Sequence, residues 1–193
     1  MPRLSTTIAT VALLAGPAML SSQALTVDVH GAVATPVKKL SDANLDTGVG
    51  FGATLAVRLL PHFHGYAGWD WMHFPASRMA VGSDNDVDEV GYVAGFRFEH
   101  LLSARLPITY RIEAGETYKH MEIENTGGTI TFDSGHGFGS EFGAGALVAL
   151  AARWQLTAML HYHLLERDIT TRGRTSASDL RYVALEIGLA RRF

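Results

Sequence analysis

The chain of 193 residues contains no cysteine, which excludes disulfides, thiolate metal centres and a lipid-modified N-terminal cysteine. Beyond residue 24 it has no apolar run near the roughly 20 residues that a membrane-spanning helix needs. If the chain enters a membrane at all, it must cross as a closed sheet, because lipid offers no partners for unpaired backbone groups. Nor is there a basic stripe with interleaved aromatics: 16 Lys+Arg face 19 Asp+Glu, and nucleic acid is not an expected partner. Solenoid-length repeats and low-complexity tracts are missing too.

The N-terminus differs in character from the rest. Arg3 precedes an apolar run from Ile8 to Leu20, broken by Gly16 and Pro17, and Ser22 and Ala24 occupy the small-residue positions of a signal-peptidase site. The run is too short for an anchor, so residues 1–24 are predicted to be a signal peptide cleaved after Ala24. Without Arg3, residues 25–193 carry 15 Lys+Arg against 19 Asp+Glu, a net charge of −4 with neutral histidines. They read as one domain.

Across those residues hydrophobicity repeats every second position. In "GVGFGATLAVRLL", Phe51, Ala53, Leu55, Val57 and Leu59 alternate with Gly52, Thr54, Ala56 and Arg58. The same alternation places strands at about 25–34, 48–60, 63–74, 88–99, 107–119, 136–151, 154–166 and 179–193. Long polar connections follow the first, third, fifth and seventh segments, and short links follow the second, fourth and sixth. Within the long connections, "GSDNDVDE" (Asp84, Asp86, Asp88, Glu89) reads as a solvated loop, lacking the spacing of a calcium loop. The Gly127-Gly128 pair suggests a hairpin projecting beyond the sheet. Long loops at one end and tight turns at the other predict an all-β, eight-stranded antiparallel up-and-down barrel with a filled interior.

Alternation alone leaves two orientations open, a soluble barrel with a greasy core and a membrane barrel with a greasy exterior. The polar face holds Arg58, Asp70, Arg97, Arg111, Glu113, Glu141 and Glu186 in mid-strand among glycines and alanines, with lysine almost absent. That composition suits a crowded interior in which Arg97 or Arg111 pairs with Glu113 or Glu141. On the apolar face, Trp69 and Trp71 lie towards the loop end, and Phe63, Phe193 and the turn residue Trp154 towards the other. Their positions predict two interfacial girdles.

The C-terminal stretch resembles the assembly signal of bacterial outer-membrane barrels through Glu186, Gly188 and Phe193, although Arg191 occupies its penultimate hydrophobic position. With the leader and the eight segments, residues 25–193 resemble the small outer-membrane class of the OmpA transmembrane domain and OmpX. The resemblance implies the outer membrane of a Gram-negative bacterium, contact with lipid and lipopolysaccharide, help from the assembly machinery, a monomer, and a structural or surface-interaction role with four external loops. An OmpW-like passage for small hydrophobic molecules is an alternative that the charged inner face disfavours.

Two constellations have possible chemistry. Ser134 and His136 in "FDSGHGFG" share a face as a nucleophile and base would. Their order is the reverse of the His-x-Ser pattern of lipid A deacylases, and Gly- and Ser-rich stretches are ordinary turn chemistry. His161 and His163 share the inner face, a metal half-site to which Glu141 or Glu186 on neighbouring strands could add a carboxylate. No HExxH-type spacing reinforces it, so a hydrogen-bonded polar plug is the expected arrangement. No cofactor and no enzymatic activity are expected.

Overall fold

The computed structural model describes residues 25–37, 44–78, 85–103, 105–125, 129–171 and 174–193. The predicted leader, Asp84 and the Gly127-Gly128 pair lie outside them. Eight long strands make the body: β1 (Leu25–Pro36), β3 (Gly48–Leu60), β4 (Phe63–Phe74), β6 (Asn85–Ser103), β7 (Leu106–Asn125), β9 (Gly137–Ala149), β10 (Trp154–Thr171) and β11 (Arg174–Arg192). Three short strands accompany them: β2 (Asn44–Leu45), β5 (Ala76–Arg78) and β8 (Ile130–Asp133). Every pairing is antiparallel, and the sheet closes where β1 pairs with both β3 and β11. The Phe193 amide donates to the Leu25 carbonyl at one end of the seam (2.9 Å), and the Val37 amide to the Arg181 carbonyl at the other (2.8 Å).

Register fixes the geometry. Phe138 of β9 sits opposite Tyr118, followed in turn by Tyr92, Trp69, Ala53, Val29, Leu189, Leu156 and then Val148, again on β9. One circuit thus returns ten residues further along the same strand. Eight strands with that stagger tilt by about 40° and leave a radius of about 8 Å, enough for side chains and little else. Tight connections follow β3, β6 and β9; the β3–β4 turn uses His62 in the left-handed region (φ 70°). The expected alternation of long and short connections holds after β1, β4 and β7, but β10 and β11 are separated by residues 172–173 alone, a correction to the long connection expected there.

Several strands outrun the alternation that predicted them. β6 and β7 pair out to Asn85 and Asn125, and β10 and β11 out to Thr171 and Arg174. Much of "GSDNDVDE" and of "RDITTRGRTSAS" is therefore paired strand, a correction to the loop reading. Glu89 in particular is a buried interior residue. The physical reason is an inversion of polarity. Up to the row Trp69–Tyr92–Tyr118–Phe138 the outward side chains of the mid-barrel are apolar except Glu116, which accepts from the Ser140 hydroxyl (3.3 Å); four residues on, beyond the row of Trp71, Val90 and His120, the outward row is His73–Asp88–Glu122–Asp133. The inner face changes in the opposite sense, from Asp70 and Lys119 to Phe74, Val87, Met121, Leu165, Leu180 and Tyr182, which pack as an apolar core. A barrel section surrounded by water needs a greasy core, and one surrounded by lipid does not.

Candidate functional site

The barrel interior is a layered ion network that the inward parity of the strands assembles from distant segments. Nearest the turn end, the buried Arg111 guanidinium donates to Asp28 (2.9 Å) and Glu99 (2.8 Å) and lies 3.5 Å from Glu113. Arg192 reaches the other Glu99 oxygen from the rim at 3.3 Å. Arg97 sits beside it, 3.0 Å from Glu113, donating to Thr54 Oγ1 (3.0 Å) and covering the Tyr66 ring at 4.7 Å. The next layer holds His161 between two carboxylates, with Nε2 3.2 Å from Glu113 and Nδ1 3.0 Å from Glu186. His30 approaches the same Glu186 oxygen at 3.6 Å. Tyr66 donates to Glu141 (2.8 Å), and His163 lies 3.7 Å from the other Glu141 oxygen. Above them, Lys119 joins Asp70 (2.7 Å) to Glu89 (2.8 Å), and the Tyr182 hydroxyl donates to Glu89 (3.1 Å). Then the apolar core begins.

Local sequence makes room for this packing. A Cβ at Gly143 would collide with the His161 ring, so the glycine of β9 is what lets the imidazole lie across the neighbouring strand. What space remains between Asp28, Asp70, Glu113, Glu141, His161 and Glu186 is a cavity of about 30 Å³. That volume holds one or two waters.

Of the seven interior residues named from sequence, six lie in this network: Asp70, Arg97, Arg111, Glu113, Glu141 and Glu186. Arg58 has the right parity but sits exposed at the turn-end rim, a correction that follows from its place two residues before the strand ends. Arg97 and Arg111 both meet Glu113, whereas Glu141 is bonded by Tyr66. Sequence reasoning missed Asp28, Glu99, Glu89, Lys119 and Tyr182. Their inward parity was a usable signal for Asp28 and Glu99; Glu89 was lost to the loop assignment.

The outer belt is also richer than predicted. Phe63, Trp69, Trp154 and Phe193 are exposed on the outer face, and Trp71 is partly covered. Phe51 packs against Trp69 and Trp71 (centroids 5.7 and 5.5 Å), while Tyr92, Tyr118 and Phe138 continue the row around the barrel. At the turn end the Arg191 guanidinium lies over Trp154 (5.4 Å) and Phe193 (4.6 Å). In the C-terminal motif, then, Arg191 covers rings where the family pattern has a hydrophobic residue.

Ser134 and His136 face different partners. The Ser134 hydroxyl donates to the Gly135 carbonyl (2.8 Å) and accepts from the Met121 amide (2.9 Å). His136 pairs with His120 (Nε2 to Nδ1, 3.1 Å), stacks on Tyr118 (5.0 Å), and leaves the other His120 nitrogen to Glu122 (3.0 Å). Among the described residues no contact joins the serine to the histidine. His161 and His163, by contrast, are both buried and gather Glu113, Glu141 and Glu186 around them.

No protein-family model matches the chain, and no curated protein matches it. Solved structures do. Neisserial surface protein A is 16% identical with a TM-score of 0.61, covering 88% of this chain and 97% of its own. The outer membrane protein OprG from Pseudomonas aeruginosa is 10% identical with a TM-score of 0.60, over 89% and 97%. Ail, the attachment invasion locus protein of Yersinia pestis, is 13% identical with a TM-score of 0.53, over 89% and 99%. The fold is that of the small eight-stranded outer-membrane barrels, of the same class as the OmpA transmembrane domain and OmpX.

Proposed function

We propose that this chain is an integral protein of a Gram-negative outer membrane, exported by a cleaved leader and inserted by the assembly machinery. It works as a monomeric anchor that presents its long hairpins and four external loops to lipopolysaccharide, to other envelope components or to another cell. The observation that supports this reading is a closed sheet with an apolar band outside and a filled interior, in which the cavity described holds no more than a water or two. Eight strands at this stagger leave no porin-sized channel, so bulk solute passage is not its work.

The role is structural or interactive rather than catalytic. Ser134 directs its hydroxyl proton to a backbone carbonyl, and His136 is engaged with His120. Replacing Ser134 with alanine should leave lipid A acylation unchanged.

The deciding experiment is fractionation combined with gel mobility. The protein should sediment with outer membranes, resist carbonate, and migrate faster in SDS before boiling than after. In planar bilayers it should give no porin-sized conductance steps. Release by carbonate with no mobility shift would overturn the membrane assignment, and large steady conductance would overturn the filled interior.

A further inference from the structure

Charge inside the barrel is unevenly matched. Six carboxylates are buried there, Asp28, Glu89, Glu99, Glu113, Glu141 and Glu186, against the three buried permanent cations Arg97, Arg111 and Lys119. The cations are also unequally shared. Arg111 serves Asp28 and Glu99, Arg97 and Arg111 share Glu113, and Lys119 serves Glu89 together with Asp70. Among the described side chains no arginine or lysine is in ion-pair contact with Glu186, and Glu141 has only the nearby charge of Lys119, which Asp70 and Glu89 already share. The unbalanced carboxylates are the ones that face His161 and His163.

His163 adds an independent sign. Its ring is 1% exposed and both its nitrogens lack a hydrogen-bond partner, a costly arrangement for a buried imidazole. Stacking on Tyr182 (centroids 4.4 Å, planes 15° apart) holds the ring in place. Donor atoms of His161, His163 and Glu186 lie within 4.8 Å of one another, and the small cavity borders His161 and Glu186.

We propose that His161, His163 and Glu186 bind a divalent transition-metal ion of the zinc type inside the barrel. His161 Nδ1 and the Glu186 oxygen are 3.0 Å apart, and an ion with ligands about 2.0–2.2 Å away would spread them to a tetrahedral edge of roughly 3.3–3.6 Å. Glu113, fixed by Arg97 and Arg111, accepts the Nε2 proton of His161 and thereby turns the Nδ1 lone pair towards the ion. This is the carboxylate–histidine–metal arrangement that orients ligating imidazoles. Two imidazoles and one carboxylate favour zinc, cobalt, nickel or copper over calcium and magnesium, which take oxygen shells. The cavity leaves room for water as a fourth ligand. With the apolar core above and the arginine layer below, the ion enters as the barrel forms.

The test is to fold the full chain in detergent micelles with Co²⁺ or Zn²⁺, remove free metal by gel filtration, and measure retained metal and ligand-field absorption. One ion per chain is expected. His163→Phe, which keeps the stack on Tyr182, and Glu186→Gln should each abolish retention while the heat-dependent shift in SDS persists. His136→Ala, at the exposed His120 pair, should retain the metal. If the inner variants do not fold, X-ray absorption on the zinc-loaded wild type decides: a shell with two imidazoles supports the site, and an all-oxygen shell overturns it. The proposal is also overturned if the wild type retains no metal, or if retention is lost in His136→Ala but kept in His163→Phe. A protonated His161 bridging the two carboxylates would then account for the geometry.

Discussion

Two sections of the same cylinder follow opposite rules. In the lower section, up to the row of Trp69, Tyr92, Tyr118 and Phe138, leucines and phenylalanines point out and charges point in, with the outward Glu116, bonded by Ser140, as the exception in mid-barrel. In the upper section His73, Asp88 and Glu122 point out, and Phe74, Val87 and Leu180 point in. The backbone does not change across the boundary, and the ladder between β6 and β7 continues through it without a shift of register from Asp86 to Leu101. What the comparison teaches is that alternation specifies a strand, while the sign of the alternation reports the solvent. The level of the sign change marks where hydrocarbon ends.

The sharpest way to break this division is inside the lower section. Arg111→Met should strand Asp28, leave Glu99 to Arg192 and Glu113 to Arg97, and destabilise the folded barrel by about 3–5 kcal/mol, measured by urea unfolding in micelles or bilayers. On the outside of that section, Leu160→Arg places a charge in hydrocarbon and should cost about 2–4 kcal/mol in lipid. The same unfolding experiment reads it, and the variant should be less affected in loose micelles than in bilayers.

The upper section should respond as a soluble core does. Phe74→Leu, next to Tyr182 (centroids 5.1 Å), should cost about 1 kcal/mol as a partial truncation. It should leave the melting of the lower section unchanged if the two sections are energetically separate. Glu122→Gln, on the wetted outside of the upper section, should change stability by less than about 0.5 kcal/mol. A large effect there would mean that lipid reaches higher than the aromatic row.

The same division explains what could be read from the chain alone. Eight strands, the tight turns and the orientation of the lower section were legible because Leu55, Phe96, Ile112 and Leu160 alternate with small or charged residues under one rule. Asp86, Asp88 and Glu122 were misjudged because their polarity, read under that rule, signals a loop, whereas their parity signals a strand whose greasy side faces inward. Pairings were less legible than faces. Parity says that Arg111 points inward, but only the stagger of the closed sheet brings it to Asp28, 83 positions away. The candidate metal ligands were half visible: His161 and His163 are neighbours on β10, and Glu186 joins them only through the pairing of β10 with β11.

The seam between Leu25 and Phe193 has a consequence for how the molecule comes into being. The hydrogen bonds that finish the ring join the first and last strands, so local hairpins can form early but the ring is incomplete until the last strand arrives. Loop-closure entropy is greatest for that final contact, and until it is made two open sheet edges stay available for misassociation. Production of this protein should therefore be limited by ring closure, and a chain shortened by its last strand should leave the ribosome with no native resting state.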